Sequence, residues 1–288
     1  MSLALVLEGG GITGAAWEAG ILKGLRDAGI DLTVADRIIG TSAGAVVGAA
    51  ITTGGLDAFW ERQIGPVDTA IERTAAVDRV KFANALREAG LPNEVTQSAL
   101  ARLGRAAIAA EVDFTHEERL RTMASRLGGA QEWPNRQLVI TAIDCDDGSL
   151  AVWTRDSGVP LIAAVASSCA APFIYPVATI NGRRYMDGGV RNGSNADLAR
   201  GSDRVVVIAP VARSPLFGGT VLANVEALRA QGARALLIEP DVAASEVMAA
   251  GSATDPARRR PAAEAGLAQA PAVVTGLPDW LAGPQEHA

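Results

Sequence analysis

"IIGTSAGAVVGAA", Ile38 to Ala50, joins a branched apolar run to a row of small residues through one serine. Branched apolar residues lead into Gly40-Thr41-Ser42-Ala43-Gly44, and small residues follow. The pattern is that of a short buried strand, a sharp turn and a helix. Two readings of Ser42 fit it. In one, Ser42 is a nucleophile held on a strained elbow, with Gly40 and Gly44 allowing strand and helix to approach. In the other, Ser42 caps an ordinary helix whose small residues pack closely. The pentapeptide alone balances the two evenly. Gly44, Val46, Val47 and Gly48 weaken an isolated helix, so tertiary packing must hold it in either case. An elbow would also aim the positive end of that helix at a reacting centre.

The flanking sequence sets the stretch in an α/β chain. Leu3 to Leu7 is a continuous apolar run, the profile of a buried parallel strand, and it ends at Glu8 and three glycines. From Gly14, Trp17, Ile21, Leu22 and Leu25 share one helical face, and Ala28-Gly29 supplies a stop. Strand, helix, strand, helix over the opening residues implies a mainly parallel sheet with right-handed crossovers. Residues 56–135 read as a helical, cap-like insertion, with start signals at Asn93-Glu94 and at the capping box Thr115-x-x-Glu118. Strands return at Gln137–Asp144 and Leu150–Thr154, and a buried helix is expected over Pro160–Ser168. Asn181-Gly182 suits a type I′ hairpin turn between Val177–Ile180 and Arg183–Met186. Two further strands are expected at Arg204–Ala209 and Ala235–Ile238. From about 240 to 288 the chain is rich in Ala, Pro and Arg, and a helix with a loosely held tail is expected. The whole chain, 1–288, reads as a single domain.

Composition narrows the partners. The chain has 288 residues, 49% hydrophobic and 4% aromatic, with a net charge of −6. That charge argues against nucleic acid or an anionic membrane as the main partner. Cys145 and Cys169 are the only cysteines, which fits a reducing compartment. The start "MSLALVLEGGG" lacks the basic region of a signal peptide. The apolar run from Pro160 to Phe173, interrupted by Ser167 and Ser168, is short for a membrane span. A cytoplasmic protein is expected, with transient contact at a membrane surface compatible with it.

The chemistry-bearing residues are few. Gly9 to Gly14 formally satisfies G-x-G-x-x-G, but a dinucleotide site needs an acidic residue closing the second strand. Asp31 and Asp36 precede that strand. The other use of such a loop is to aim backbone amides at a developing oxyanion. A serine nucleophile also needs a base. His116 lies in the charged stretch "THEERLR" and His287 is penultimate, so a Ser-His-Asp triad is not expected, and an aspartate acting directly on Ser42 is the economical choice. Asp187 fits best, because it ends a hairpin strand ahead of Gly188-Gly189, although by itself Asp-Gly reads first as an ordinary turn. Asp144, Asp146 and Asp147 miss the calcium-loop spacing by one residue, with Arg155 where a bidentate Glu belongs. Arg258 to Arg260 reads as a solvated face. No metal and no cofactor are expected.

The ordered set "EGGGITG", "GTSAG" and "DGG", with "AVASSCAAPFIYP" ahead of the aspartate, resembles the patatin-like phospholipase family over roughly residues 3 to 210. The resemblance implies an α/β three-layer sandwich and a Ser-Asp dyad that hydrolyses lipid acyl esters without a cofactor. By position it makes Ser42 the nucleophile and Asp187 the base. It places the oxyanion hole at the amides of Gly9, Gly10 and Gly11, with Ala43, and the elbow glycines at Gly40 and Gly44. Glu8 and Thr13 depart from the family's usual Asp and basic residue, and "NGSNAD" from Asn192 departs from its Asn-x-Pro. An acyltransferase on the same dyad, and a non-catalytic lipid- or nucleotide-binding module, are the alternatives.

Overall fold

The computed structural model describes residues 1–91, 95–213, 218–275 and 277–282. Its strands are β1 (Leu3–Leu7), β2 (Arg37–Thr41), β3 (Gln137–Asp144), β4 (Leu150–Trp153), β5 (Ala178–Ile180), β6 (Arg183–Asp187), β7 (Arg204–Ile208) and β8 (Arg234–Ile238). The helices of the first half are α1 (Gly11–Asp27), α2 (Ala43–Thr53), α3 (Leu56–Ile64), α4 (Arg79–Ala89), α5 (Gln97–Ile108) and α6 (His116–Arg126). Those of the second half are α7 (Leu161–Ser168), α8 (Gly189–Asn192), α9 (Gly218–Ala230), α10 (Val242–Ala249), α11 (Arg259–Val274) and α12 (Leu277–Ala282). The hairpin at Asn181-Gly182 has both residues at positive φ, 50° and 79°, as a type I′ turn demands. No helix among the described residues is long and apolar enough to cross a membrane.

The sheet is hydrogen-bonded in the order β5-β6-β3-β2-β1-β7-β8, with β4 also on β3. The run β3-β2-β1-β7-β8 is parallel, and β4, β5 and β6 are antiparallel. Successive residues of a strand face opposite sides. In β1, Leu5 and Leu7 enter the core beneath α1, α2 and α7, while Ala4 and Val6 enter the core beneath α9. In β7, Val206 and Ile208 take the first side and Val205 and Val207 the second. Both faces are covered, so these strands are apolar without alternation.

The edge of β3 is divided between two strands. β4 occupies one edge from Ile140 to Ile143. On the opposite edge β2 runs parallel until Thr41 meets Thr141, and β6 runs antiparallel until Asp187 meets Ala142. The two strands thus arrive end to end, and the chain leaves β2 at Ser42.

The insertion is wrapped onto this body. α3 packs against α1, α2 and α11, and α6 against α7 and α2. Leu86, Leu100 and Leu103 of α4 and α5 join Ile143 and Met186 in one apolar cluster. The Thr115–Glu118 capping box opens α6 as the sequence predicts. Asn93-Glu94 lies outside the described residues, and α5 is instead capped by Thr96, whose hydroxyl accepts from the Ala99 amide at 3.2 Å.

The C-terminal segment corrects an expectation. It is no loose tail through residue 282: α11 makes the most extensive helix–helix contact of the described chain, against α1. Glycines make the approach. A Cβ at Gly266 would lie 2.2 Å from the Trp17 carbonyl oxygen, and one at Gly20 would lie 2.1 Å from that of Ala263. The Trp17 indole donates to Gln269 Oε1 at 3.0 Å, satisfying a fully buried N–H. The arginine triplet is also not a solvated face. Arg258 donates to the Val247 carbonyl, and Arg259 donates to the carbonyls of Gln63, Gly65 and Pro66, leaving Arg260 exposed. Gly266→Val is expected to lower stability by about 1–3 kcal/mol through overpacking, read as a fall in the denaturation midpoint. An unchanged midpoint would contradict the α1–α11 packing.

Candidate active site

Ser42 has φ 54° and ψ −115°, a strained conformation for a residue with a side chain, and its hydroxyl makes no capping bond to α2. The helix-cap reading of Ser42 therefore lacks its hydrogen bond. The elbow works because of what surrounds it. A Cβ at Gly44 would lie 2.1 Å from the Leu7 carbonyl oxygen, and one at Gly40 would lie 2.5 Å from that of Gly44. The Gly44 amide donates to the Glu8 carbonyl at 2.8 Å, which ties α2 to the end of β1.

Three neighbours seat Ser42 from the other side. Its amide donates to Ser168 Oγ at 2.8 Å, and its carbonyl accepts from Cys169 Sγ at 3.1 Å. Its hydroxyl faces the Asp187 carboxyl closely enough to steady the anion. Asp187 is 6% exposed, and burial pushes its pKa up to about 6, with the Ser42 hydroxyl and the Gly189 amide pulling the other way. The Gly189 amide donates to Asp187 Oδ1 at 2.8 Å. The end-to-end junction on β3 thus brings the two residues together.

The glycine loop lies against the elbow, with Gly9 Cα-side space closed by Ser42 Cβ at 3.4 Å from an added Cβ. Gly11 has φ 67°, and a Cβ there would come within 2.6 Å of the Ala253 carbonyl oxygen. The amides of Gly9, Gly10, Gly11 and Ala43 donate no hydrogen bond among the described residues. They are the unused donors of the strand-to-helix corner. Ser42, Ala43 and Gly11 line a cavity of about 800 Å³ that also contacts α3, α6 and the segment Gly251–Thr254. That volume suits a drug- or lipid-sized ligand.

Several residues of the site carried no decisive signal in the sequence. Asn195, fully buried in a left-handed conformation, donates to Thr41 Oγ1, Thr141 Oγ1 and the Gly188 carbonyl, each at 3.1 Å. It pins the ends of β2 and β6 to the middle of β3. Ser168 and Cys169 stood in an apolar run that reads as helix core. Glu8 and Glu18 lie beneath the glycine loop without counter-charges among the described residues. Glu8 accepts from the Val211 amide at 3.1 Å, and burial raises its pKa to about 8. Burial, and then the neighbouring Glu8, hold Glu18 well above the carboxylate range. His116 opens α6 half-buried and does not line the cavity, and His287 lies outside the described residues. Asp144 and Asp147 pair with Arg183, and Asp146 with Arg184. No group of three metal-ligating side chains occurs among the described residues.

A family model described as patatin-like phospholipase matches residues 5–200. The chain belongs to the patatin-like phospholipase family. No curated protein matches it. Among solved structures, it is similar to VipD from Legionella pneumophila, at 12% identity, 96% of this chain, 66% of that chain and a TM-score of 0.49. It is also similar to human GIVD cytosolic phospholipase A2 in complex with methyl γ-linolenyl fluorophosphonate, at 10% identity, 98% of this chain, 59% of that one and a TM-score of 0.42. The type III effector protein ExoU is matched at 14% identity, 95% of this chain, 53% of that one and a TM-score of 0.37. The chain spans between about half and two thirds of the length of these proteins. The matched span, 5–200, contains the glycine loop, the elbow and Asp187, and the α/β sandwich is that of the family.

Two outcomes follow from the buried polar groups. Asn195→Ala is expected to destabilise the fold by about 1–3 kcal/mol, since it leaves buried acceptors unpaired; a thermal midpoint equal to the parent's would refute the clamp. Between the ordinary carboxylate pKa of 4.5 and about 8, folded Glu8 keeps a proton that the unfolded chain releases. Stability therefore falls as pH rises through that window, by about 1.4 kcal/mol per pH unit per proton at most. Glu8→Gln is expected to flatten the fall measured by denaturant titration from about pH 5.5 to 8.5. An unaltered slope would contradict the buried, protonated state.

Proposed function

We propose that the chain is a serine acyl hydrolase that cleaves carboxylic esters of lipids through a Ser42–Asp187 dyad. The observation that carries this reading is the strained elbow: Ser42 gives its hydroxyl to no cap and faces a buried carboxylate at the wall of a roomy cavity.

Ser42 Oγ attacks the ester carbonyl and its proton passes to the Asp187 carboxylate. The carbonyl oxygen, now anionic, is met by the amides of Gly10, Gly11 and Ala43. Collapse expels the alcohol, which takes the proton from Asp187 and leaves an acyl-serine. Water then attacks, giving a proton to Asp187, and the fatty acid leaves as Ser42 recovers that proton. An aspartate of ordinary pKa is a weak base at neutral pH. Burial that lifts Asp187 to about 6 makes it a better one while leaving it ionised at pH 7. Each oxyanion donor contributes about 2.7–4 kcal/mol to the transition state. In this reading residues 1–282 act as one domain, and the helices between 56 and 135 shape the acyl pocket.

Ser42→Ala and Asp187→Asn are each expected to lower hydrolysis of a short-chain ester by at least about 10³-fold, with unchanged circular dichroism. The pH profile of kcat/KM should lose activity below about 6, because a protonated Asp187 cannot accept the serine proton. Undiminished turnover by either variant, or a flat profile from pH 5 to 7, would refute the dyad.

A further inference from the structure

The cavity that contains Ser42 is lined on its far side by arginines. Arg119 and Arg126 come from α6 and Arg259 from the start of α11. They share one buried carboxylate, Glu72. Arg126 grips it in a two-pronged pair, Nε at 2.9 Å and Nη2 at 2.6 Å. Although burial pushes Glu72 up, Arg126, Arg259 and Arg119 together hold its pKa below the ordinary range. Arg62 of α3 also lines the cavity, so four guanidiniums stand against this one buried carboxylate and positive charge is in excess. The other acids on the cavity wall, Glu61 and Asp68, are exposed to solvent.

Arg62 and Arg119 make no hydrogen bond among the described residues, but Arg62 lies over Phe59 with its Nε and Nη2 fully buried. Arg126 spends its donors on Glu72, and Arg259 on three backbone carbonyls. Arg119 is 5% exposed, and its guanidinium makes no hydrogen bond or ion pair among the described residues. Its Cζ lies over the Tyr175 ring, 3.7 Å from the centroid. The ring covers one side of the guanidinium and uses none of its N–H donors. A buried guanidinium has five donors and no way to shed its charge, so this one calls for an anion. Cys169 links it to the chemistry: its thiol lies in the electrostatic field of both Arg119 and Asp187 and donates to the Ser42 carbonyl.

We infer that Arg119 is the anion-binding, specificity-determining residue of the cavity, and that the substrate is an acyl ester whose alcohol carries a phosphomonoester. The inference rests on the hydrolase reading for the word substrate, though not for the anion site itself. A phosphomonoester carries close to two negative charges at neutral pH, which answers an excess of more than one positive charge on the cavity wall. A phosphodiester carries one, and a neutral glyceride none. The planar fork of an arginine takes two phosphate oxygens at once, which a lysine cannot reproduce. The carbonyl carbon would then lie at Ser42 with the phosphate held against α6.

The test compares three water-soluble esters of one acyl chain: hexanoylglycerol phosphate, its methyl phosphodiester and hexanoylglycerol. Wild type is expected to favour the phosphomonoester over the neutral ester by about 10- to 100-fold in kcat/KM, the range of hydrogen bonds to charged groups. The diester should fall between them. Arg119→Met should erase the preference, its fold being checked by circular dichroism and the thermal midpoint. Arg119→Lys should restore only part. Binding of the same three compounds to Ser42→Ala by calorimetry gives the answer without catalysis, and should show the same order. If no ester is hydrolysed yet the phosphomonoester binds Ser42→Ala tightest, the anion site stands and the hydrolase reading fails. Equal affinities, or a preference that survives in Arg119→Met, would overturn the inference. A diester used as well as the monoester would overturn the charge match. Should neither Arg119 variant fold, equal use of the phosphomonoester and the neutral ester by wild type decides against it.

Discussion

Two strands meeting end to end on one edge of β3 is the constraint on which the site depends. β2 advances along that edge to Thr41 and β6 comes back along it to Asp187, opposite Thr141 and Ala142. The chain must turn out of the sheet at both ends. One turn begins with Ser42 and the other with Gly188-Gly189. Backbone pairing alone fixes the separation of two residues that lie far apart in sequence. Asn195 locks the junction, its two amide hydrogens shared among Thr41, Thr141 and Gly188. A site built on rigid strand ends holds its geometry better than one carried on loops.

Burial then supplies the chemistry. Close packing of α2 on β1 through Gly44 fixes the elbow, and burial of Asp187 itself raises that carboxyl toward neutrality. Beneath the glycine loop, Glu8 and Glu18 are kept from water more strictly still, and they favour their protonated forms. The free amides of the glycine loop are therefore not faced by an adjacent full negative charge at neutral pH. Positive charge enters from α6, where Arg119 stands on Tyr175. Thr13 in the glycine loop carries none, so any attraction for an anionic substrate comes from across the cavity.

Local patterns made much of this legible in the sequence. The apolar run Leu3–Leu7, the Asn181-Gly182 turn and the Thr115–Glu118 box each follow from chemistry within a few residues, and each is found where it was expected. Gly40 and Gly44 pointed to close approach, though not to what they approach. The misreadings concern long-range partners. The segment after Pro240 looked loose because Ala, Gly and Pro carry little hydrophobic signal. Those small residues are what let α11 lie against Gly20 and Trp17. Arg259 looked solvated because its acceptors are carbonyls in a turn nearly two hundred residues away. Arg119 sat in a charged stretch whose solvent-facing residues masked the one that turns inward. Asn195 gave no local signal, since its three partners belong to two strands and a turn.

The pairing of Ser42 with Asp187 is read out by the rate at which an alkyl fluorophosphonate modifies the protein as a function of pH, with the adduct mapped by mass spectrometry. Such a reagent needs an activated serine and the amides that receive an oxyanion. A single adduct on Ser42, forming at a rate that rises through a pKa near 6 and that collapses in Asp187→Asn, is the result expected. An adduct elsewhere, or labelling of Ser42 at the same rate with Asp187 replaced, would contradict it.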